Sequence, residues 1–162
     1  MKHVITAYVE NQPGVLARIV SLISGRGFNI ESLNVAPTLN PVISRITMTV
    51  PGDDKVLEQV GKQLRRLVDV ISVTDLTQKH YLSRELALVE VAAAGDTERS
   101  EVKRIAGIFD AKVVSAQPGS LTIQMVGEKE SINELITTLG SFKVLDVSRS
   151  GVIAVARGRR PK

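Results

Sequence analysis

Asn11, Gln12, Pro13 and Gly14 stand just ahead of an apolar helical pattern, and Asn29 and Ile30 stand just behind it. These residue types bind rather than react. Pro13-Gly14 leaves the amides of a helix N-terminus without a bulky side chain over them, and such an end favours a carboxylate or a phosphate. The same residues also suit an ordinary strand-to-helix turn. A free amino acid carries a carboxylate for the helix end, an ammonium for backbone carbonyls and a side chain for a small apolar pocket. The loop, Asn29 and Ile30 supply those three kinds of partner. A valine-sized ligand has about eight heavy atoms, and at a best-case ceiling of roughly −1.5 kcal/mol per atom it needs near-complete burial. An interface between two chains provides such burial.

Catalytic and metal constellations find little support. The histidines are His3 and His80, and neither sits at metal-ligand spacing from another histidine or a carboxylate. There is no GxSxG, P-loop or GxGxxG pattern. Asp53-Asp54 and the pair Glu128 and Glu130 each precede a helical pattern and read as caps or dipole partners. Arg18 with Asn29 imitates the arginine-asparagine phosphate site of acylphosphatase-type enzymes, but no loop arginine accompanies them. With no cysteine, disulfides, thiolate metal sites and a cysteine nucleophile are excluded. No catalytic residue and no metal ligand is therefore assigned.

The elements that must hold the loop follow from periodicity. Residues 4–9 read as a central strand, apolar at nearly every position. A helix over 13–24 follows, with Asn11 or Gln12 as its cap and Pro13 in its first turn. Val15, Leu16, Ile19, Val20, Leu22 and Ile23 share one broad face, and Gly25 and Gly27 stop the helix. At about 1.5 Å per residue that helix is roughly 18 Å long, so Asn29 lies about one helix length from Asn11 and Gly14. Two such ends meet if two copies pair about a two-fold axis.

A second strand over 28–35 is kinked near Glu31-Ser32. Residues 37–41 turn, and 42–50 alternate strictly as a half-buried antiparallel strand. Pro51-Gly52-Asp53-Asp54 opens a helix with Val56, Leu57, Val60, Leu64 and Leu67 inward, and 68–76 is a fourth strand. This βαββαβ order is ferredoxin-like. Residues 77–83 read as a linker. The order then repeats with a strand at 86–93, a helix at 98–109, a hairpin of 112–116 with 121–126, and a helix at 131–139. Strands at 144–147 and 152–156, joined by a Ser150-Gly151 turn, close the second half. The class is α+β with two ferredoxin-like domains, 1–77 and 78–162. It forms an internal repeat of roughly 80 residues with little residue identity.

The chain has 162 residues, 43% of them hydrophobic, and a net charge of +4. Arg157, Arg159, Arg160 and Lys162 account for that charge, so the rest of the chain is balanced. Two tyrosines and three phenylalanines are scattered, which argues against a nucleic-acid surface. No apolar run approaches the roughly 18 residues of a membrane span, and residues 1–10 alternate like a strand rather than forming a signal sequence. A cytoplasmic protein with no membrane or nucleic-acid partner is expected.

Asn11-Gln-Pro-Gly14-Val-Leu, followed by Gly27-Phe-Asn29-Ile-Glu-Ser, resembles the ACT domain of acetolactate synthase (acetohydroxyacid synthase) regulatory small subunits. The likeness continues through VAPT (35–38), SRIT (44–47), the helix at 55–70, SREL (83–86), EVKRI (101–105) and SRSGV (148–152). It covers nearly the whole chain. It implies an N-terminal ACT domain and a C-terminal ACT-like domain, with no active site. Such a chain pairs as a homodimer through its ACT domains, binds the catalytic large subunit, raises its activity and confers feedback by a branched-chain amino acid. Valine is the first expectation, and leucine or isoleucine the others. Thiamine diphosphate, Mg²⁺ and FAD would belong to the catalytic partner, with no cofactor in this chain. The resemblance carries the effector site onto Asn11, Gln12, Pro13, Gly14, Val15 and Leu16 from one chain and Asn29 and Ile30 from its neighbour. Asn34 stands where threonine is expected after Glu-Ser-Leu. A stand-alone ACT-type amino-acid sensor, or a small hydrolase on the ferredoxin-like fold, is the alternative class.

Overall fold

The computed structural model describes residues 2–158, and Arg159, Arg160 and Lys162 of the basic tail lie outside the described residues. The contacts divide the chain into two compact units. The first holds the chain up to Leu82 together with the stretch from Val152 onward, and the second is Ser83–Gly151.

The first unit runs β1 (Lys2–Glu10), α1 (Val15–Ser24), β2 (Ser32–Pro37), β3 (Ile43–Pro51), α2 (Asp54–Leu64) and β4 (Val70–Asp75). The strands form an antiparallel sheet in the order β2-β3-β1-β4. This is the expected βαββαβ order. Ile5, Ala7 and Val9 on β1 and Ile46, Met48 and Val50 on β3 point to one face. There they bury Val15, Ile19 and Ile23 of α1 and Val60 and Leu64 of α2. The period-2 and period-3.6 patterns thus meet in one core. The opposite face carries Thr6, Tyr8, Arg45, Thr47 and Thr49, as the register Thr6↔Thr47 and Tyr8↔Arg45 requires. Asp53 caps α2 by accepting from the Val56 amide at 2.9 Å.

The second unit repeats the order with β5 (Tyr81–Ala92), which begins in the first unit, α3 (Asp96–Ile108), β6 (Lys112–Gln117), β7 (Ser120–Gly127), α4 (Lys129–Leu139) and β8 (Val144–Arg149). Its sheet order is β6-β7-β5-β8. Ala87, Val89, Val91, Leu121, Ile123 and Met125 pack on Val102, Ile105, Ile132, Leu135 and Leu139. Glu85, 5% exposed, is held by both ends of the Arg149 guanidinium at 2.7 and 2.9 Å, and Asn133 accepts a third bond from Arg149.

Several expectations shift. The second strand begins at Ser32, not at 28; residues 28–31 are irregular, and the Glu31 amide reaches Thr49 O at 2.9 Å. The stretch expected to be linker already belongs to β5 from Tyr81. The final strand, β9 (Ile153–Ala156), does not close the second repeat. It pairs with β5 and has its contacts in the first unit. Ala154 packs on Val4 and Leu76. Arg45 donates to Ala154 O at 2.6 Å, and Asn34 donates to Val152 O at 3.2 Å. Asn34, the departure from the family pattern, is therefore a tether for the returning chain.

Candidate functional site

The loop 11–14 is fixed at both ends by backbone bonds. Glu10 N–H donates to Asp69 O and Asn11 N–H to Val42 O, each at 2.9 Å. The Asn11 side chain is spent on Pro41 O, also at 2.9 Å. It ties the loop to the turn before β3 and does not cap α1. Gln12 and Pro13 likewise lie ahead of the cap, because the helix starts at Val15 with Gly14 as its N-cap. Asn11 is too far upstream to reach the first-turn amides.

Gly14 has φ 84°, in the left-handed region that a side chain disfavours. This kink lets the chain turn into α1 without a side-chain cap. The amides of Leu16 and Ala17 have no intrahelical acceptor at this end. The first turn of α1 holds no acidic residue. The other helices answer the same need from within the chain. α2 has Asp53 and Asp54, and α4 has Glu130. On α3, Glu98 turns back onto the amides of Ala94 and Gly95, at 3.0 and 3.4 Å. Only the head of α1, among the described helices, presents its amides with no carboxylate of its own.

Arg18 adds a cation that the loop pattern does not include. Its guanidinium lies 4.0 Å from the point a Cβ on Gly14 would occupy, while also pairing with Asp69. Its spacing, one helical turn after Gly14, was the available signal. Asn29 follows the far end of α1, so the arginine-asparagine pair of the phosphatase-like role is not assembled.

Val15 is buried and helps anchor the loop, whereas Asn11, Gln12, Pro13 and Gly14 are exposed and Leu16 is 39% exposed. The structure brings Asn11 through Leu16 together at the head of α1. It does not bring Asn29 and Ile30 there. The ten residues of α1 separate the two groups by about 15 Å at 1.5 Å per residue. Gly27, at φ 76°, turns the chain out of the helix. Ile30 then packs against the core, and Asn29 is exposed with no side-chain hydrogen bond among the described residues.

Titrations that are displaced lie away from this loop. The Lys62 hydrogen bond and charge hold the Glu58 carboxyl below its usual range, and the Arg104 hydrogen bond does the same for Glu101. Among the described residues no cluster of three acidic or histidine side chains is placed to hold a metal, and no helix is long and apolar enough to cross a membrane.

Comparison with known proteins covers both units. A family described as "AHAS small subunit-like ACT domain" matches residues 5–72, and one described as "Small subunit of acetolactate synthase" matches residues 84–158. The acetolactate synthase small subunit of Aquifex aeolicus is 47% identical over 96% of this chain and 81% of its own length. The isozyme 3 small subunit of Escherichia coli is 41% identical over 98% of this chain and 97% of its own. The crystal structure of the Thermotoga maritima small subunit superposes with a TM-score of 0.88 at 31% identity, covering 99% of each chain.

Proposed function

Because this chain belongs to the acetolactate synthase small-subunit family, we propose that it is the non-catalytic regulatory subunit of that enzyme. It binds a branched-chain amino acid, valine first, where two ACT domains meet. It activates the catalytic large subunit and makes that subunit sensitive to feedback in valine, leucine and isoleucine biosynthesis. Thiamine diphosphate, Mg²⁺ and FAD belong to the catalytic partner, and the assembly works in the cytoplasm.

The observation that carries this reading is the uncapped head of α1. Its free amides, the open position at Gly14 and the nearby Arg18 suit a carboxylate. The exposed Leu16 beside them suits a small apolar side chain. In one chain this surface is open, so it cannot enclose a ligand of valine size. A second copy related by a two-fold axis supplies the missing wall and brings its own Asn29 and Ile30 to the loop. Residues 1–77 then sense and dimerise, while 78–162 communicate with the catalytic subunit. The closure of the α3 head by Glu98 fits a second unit that does not take the effector.

Sedimentation and calorimetry on the isolated chain test this. A dimer that binds valine, and no turnover by the chain alone, is expected. A monomer that binds valine would sink the shared site.

A further inference from the structure

We propose that the face of the first unit opposite its helices, beside β9, carries a second small-molecule site, one for a phosphate-bearing anion such as a phosphate ester or a diphosphate. A cavity of about 290 Å³ there is lined by the cationic residues Arg45, Lys79 and Arg157 and the hydroxyl-bearing residues Thr6, Tyr8 and Thr74, with Leu76, Val155 and Ala156 as its apolar wall. Strand register brings the hydroxyls together: Thr6 lies opposite Thr74 on β4, and Tyr8 lies opposite Arg45 on β3. Backbone bonds bring the two outer cations to the same rim. Lys79 N–H donates to Leu76 O at 2.9 Å, and Arg157 N–H donates to His80 O at 2.7 Å.

No carboxylate among the described residues lines this cavity. The described ion pairs engage other cations, such as Arg18 with Asp69 and Lys62 with Glu58. Arg45 is oriented by neutral partners instead. It donates to Tyr8 Oη at 2.8 Å and to Ala154 O at 2.6 Å, and lies over the Tyr8 ring at 5.4 Å from its centroid. Two of its five guanidinium donors are committed in this way. Three like charges around one small pocket repel one another until an anion enters, and hydroxyl, ammonium and guanidinium donors all match phosphate oxygens.

The ligand class follows from sign and number. A free amino acid would bring an ammonium into a ring of cations, so this pocket and the head of α1 select different molecules. Nucleic acid is not favoured, because the body of the chain is charge-balanced and its aromatics are few. The occupant is a compact, multiply charged metabolite.

The test is a titration of the isotope-labelled full chain with inorganic phosphate and with pyrophosphate, at constant ionic strength set by chloride. Amide shifts at Thr74, Lys79 and Arg157 are expected to saturate, with pyrophosphate the tighter. The double variant Lys79→Gln, Arg157→Gln should raise the apparent dissociation constant about tenfold or more. Neither side chain makes a hydrogen bond within the described fold, so the variant keeps its structure, and valine binding should be unchanged. Shifts that do not saturate would overturn the proposal. So would saturation centred on another surface, or an equal constant in the double variant.

Discussion

The Arg18 guanidinium lies one helical turn after Gly14, 4.0 Å from where a Cβ on Gly14 would stand. A carboxylate placed on residue 14 would be drawn to that cation and to the free amides of α1. It would occupy the position proposed for the effector's own carboxylate. Gly14→Asp is therefore expected to abolish valine feedback while leaving activation of the catalytic subunit. Holoenzyme assays with and without valine check this, and a fully valine-sensitive variant would remove the loop from the site.

Gly14→Ala separates strain from charge. Alanine must adopt φ 84°, which costs about 1–2 kcal/mol for a residue with a Cβ. Urea unfolding should show that loss. Aspartate, which tolerates the left-handed region better, should lose less.

Asn29→Ala is expected to weaken valine binding by roughly 1–3 kcal/mol, the cost of an unsatisfied partner. A mixed dimer places the residue. One chain carries Gly14→Asp and Asn29→Ala together, and the other is unchanged. If each site takes its loop from one chain and Asn29 from the other, both sites are damaged, and calorimetry finds no site of normal affinity. One normal site per mixed dimer would put both motifs in the same chain.

Arg149→Met should destabilise the second unit by about 3 kcal/mol. It leaves the Glu85 carboxylate buried without its cation, and the Arg149 side chain is partly exposed, which favours the lower end of the usual range. Replacing both residues with apolar ones should recover most of the loss. Chemical denaturation of the two single variants and the double variant decides whether the pair acts as one unit.

A fragment ending at residue 80 lacks β9, and so lacks the Ala154 cover on Val4 and Leu76. It should still bind valine but convey it poorly in the holoenzyme. Exchange of the Leu76 amide, bonded to Val4 O at 2.9 Å, should quicken at least about tenfold, equivalent to roughly 1.4 kcal/mol. An unchanged rate would show that β9 does not support the first unit.

The sequence by itself determined the two βαββαβ orders, because side-chain periodicity is a local property. Ile46, Met48 and Val50 alternate in the chain and therefore share a face of β3; Val15, Ile19 and Ile23 recur at the helical period and are buried together. The loop 11–14 was legible as a helix entry because glycine tolerates the conformation such an entry needs. Local pattern did not reveal that Gly14 itself is the cap, since Asn11 is by type the better capping residue until the chain's path is known.

Only the tertiary structure decided where the C-terminal strand goes. The alternation of residues 153–156 suits any sheet that offers an edge, and nothing local distinguishes one unit from the other. The choice rests on Arg45 and Asn34, whose carbonyl partners lie 109 and 118 residues away. Such partners are set by the closure of long loops, not by neighbours in sequence. The same distance explains why the cluster of Arg45, Lys79 and Arg157 is invisible in the sequence: its members come from β3, the turn after β4 and the end of β9, and only folding makes them neighbours.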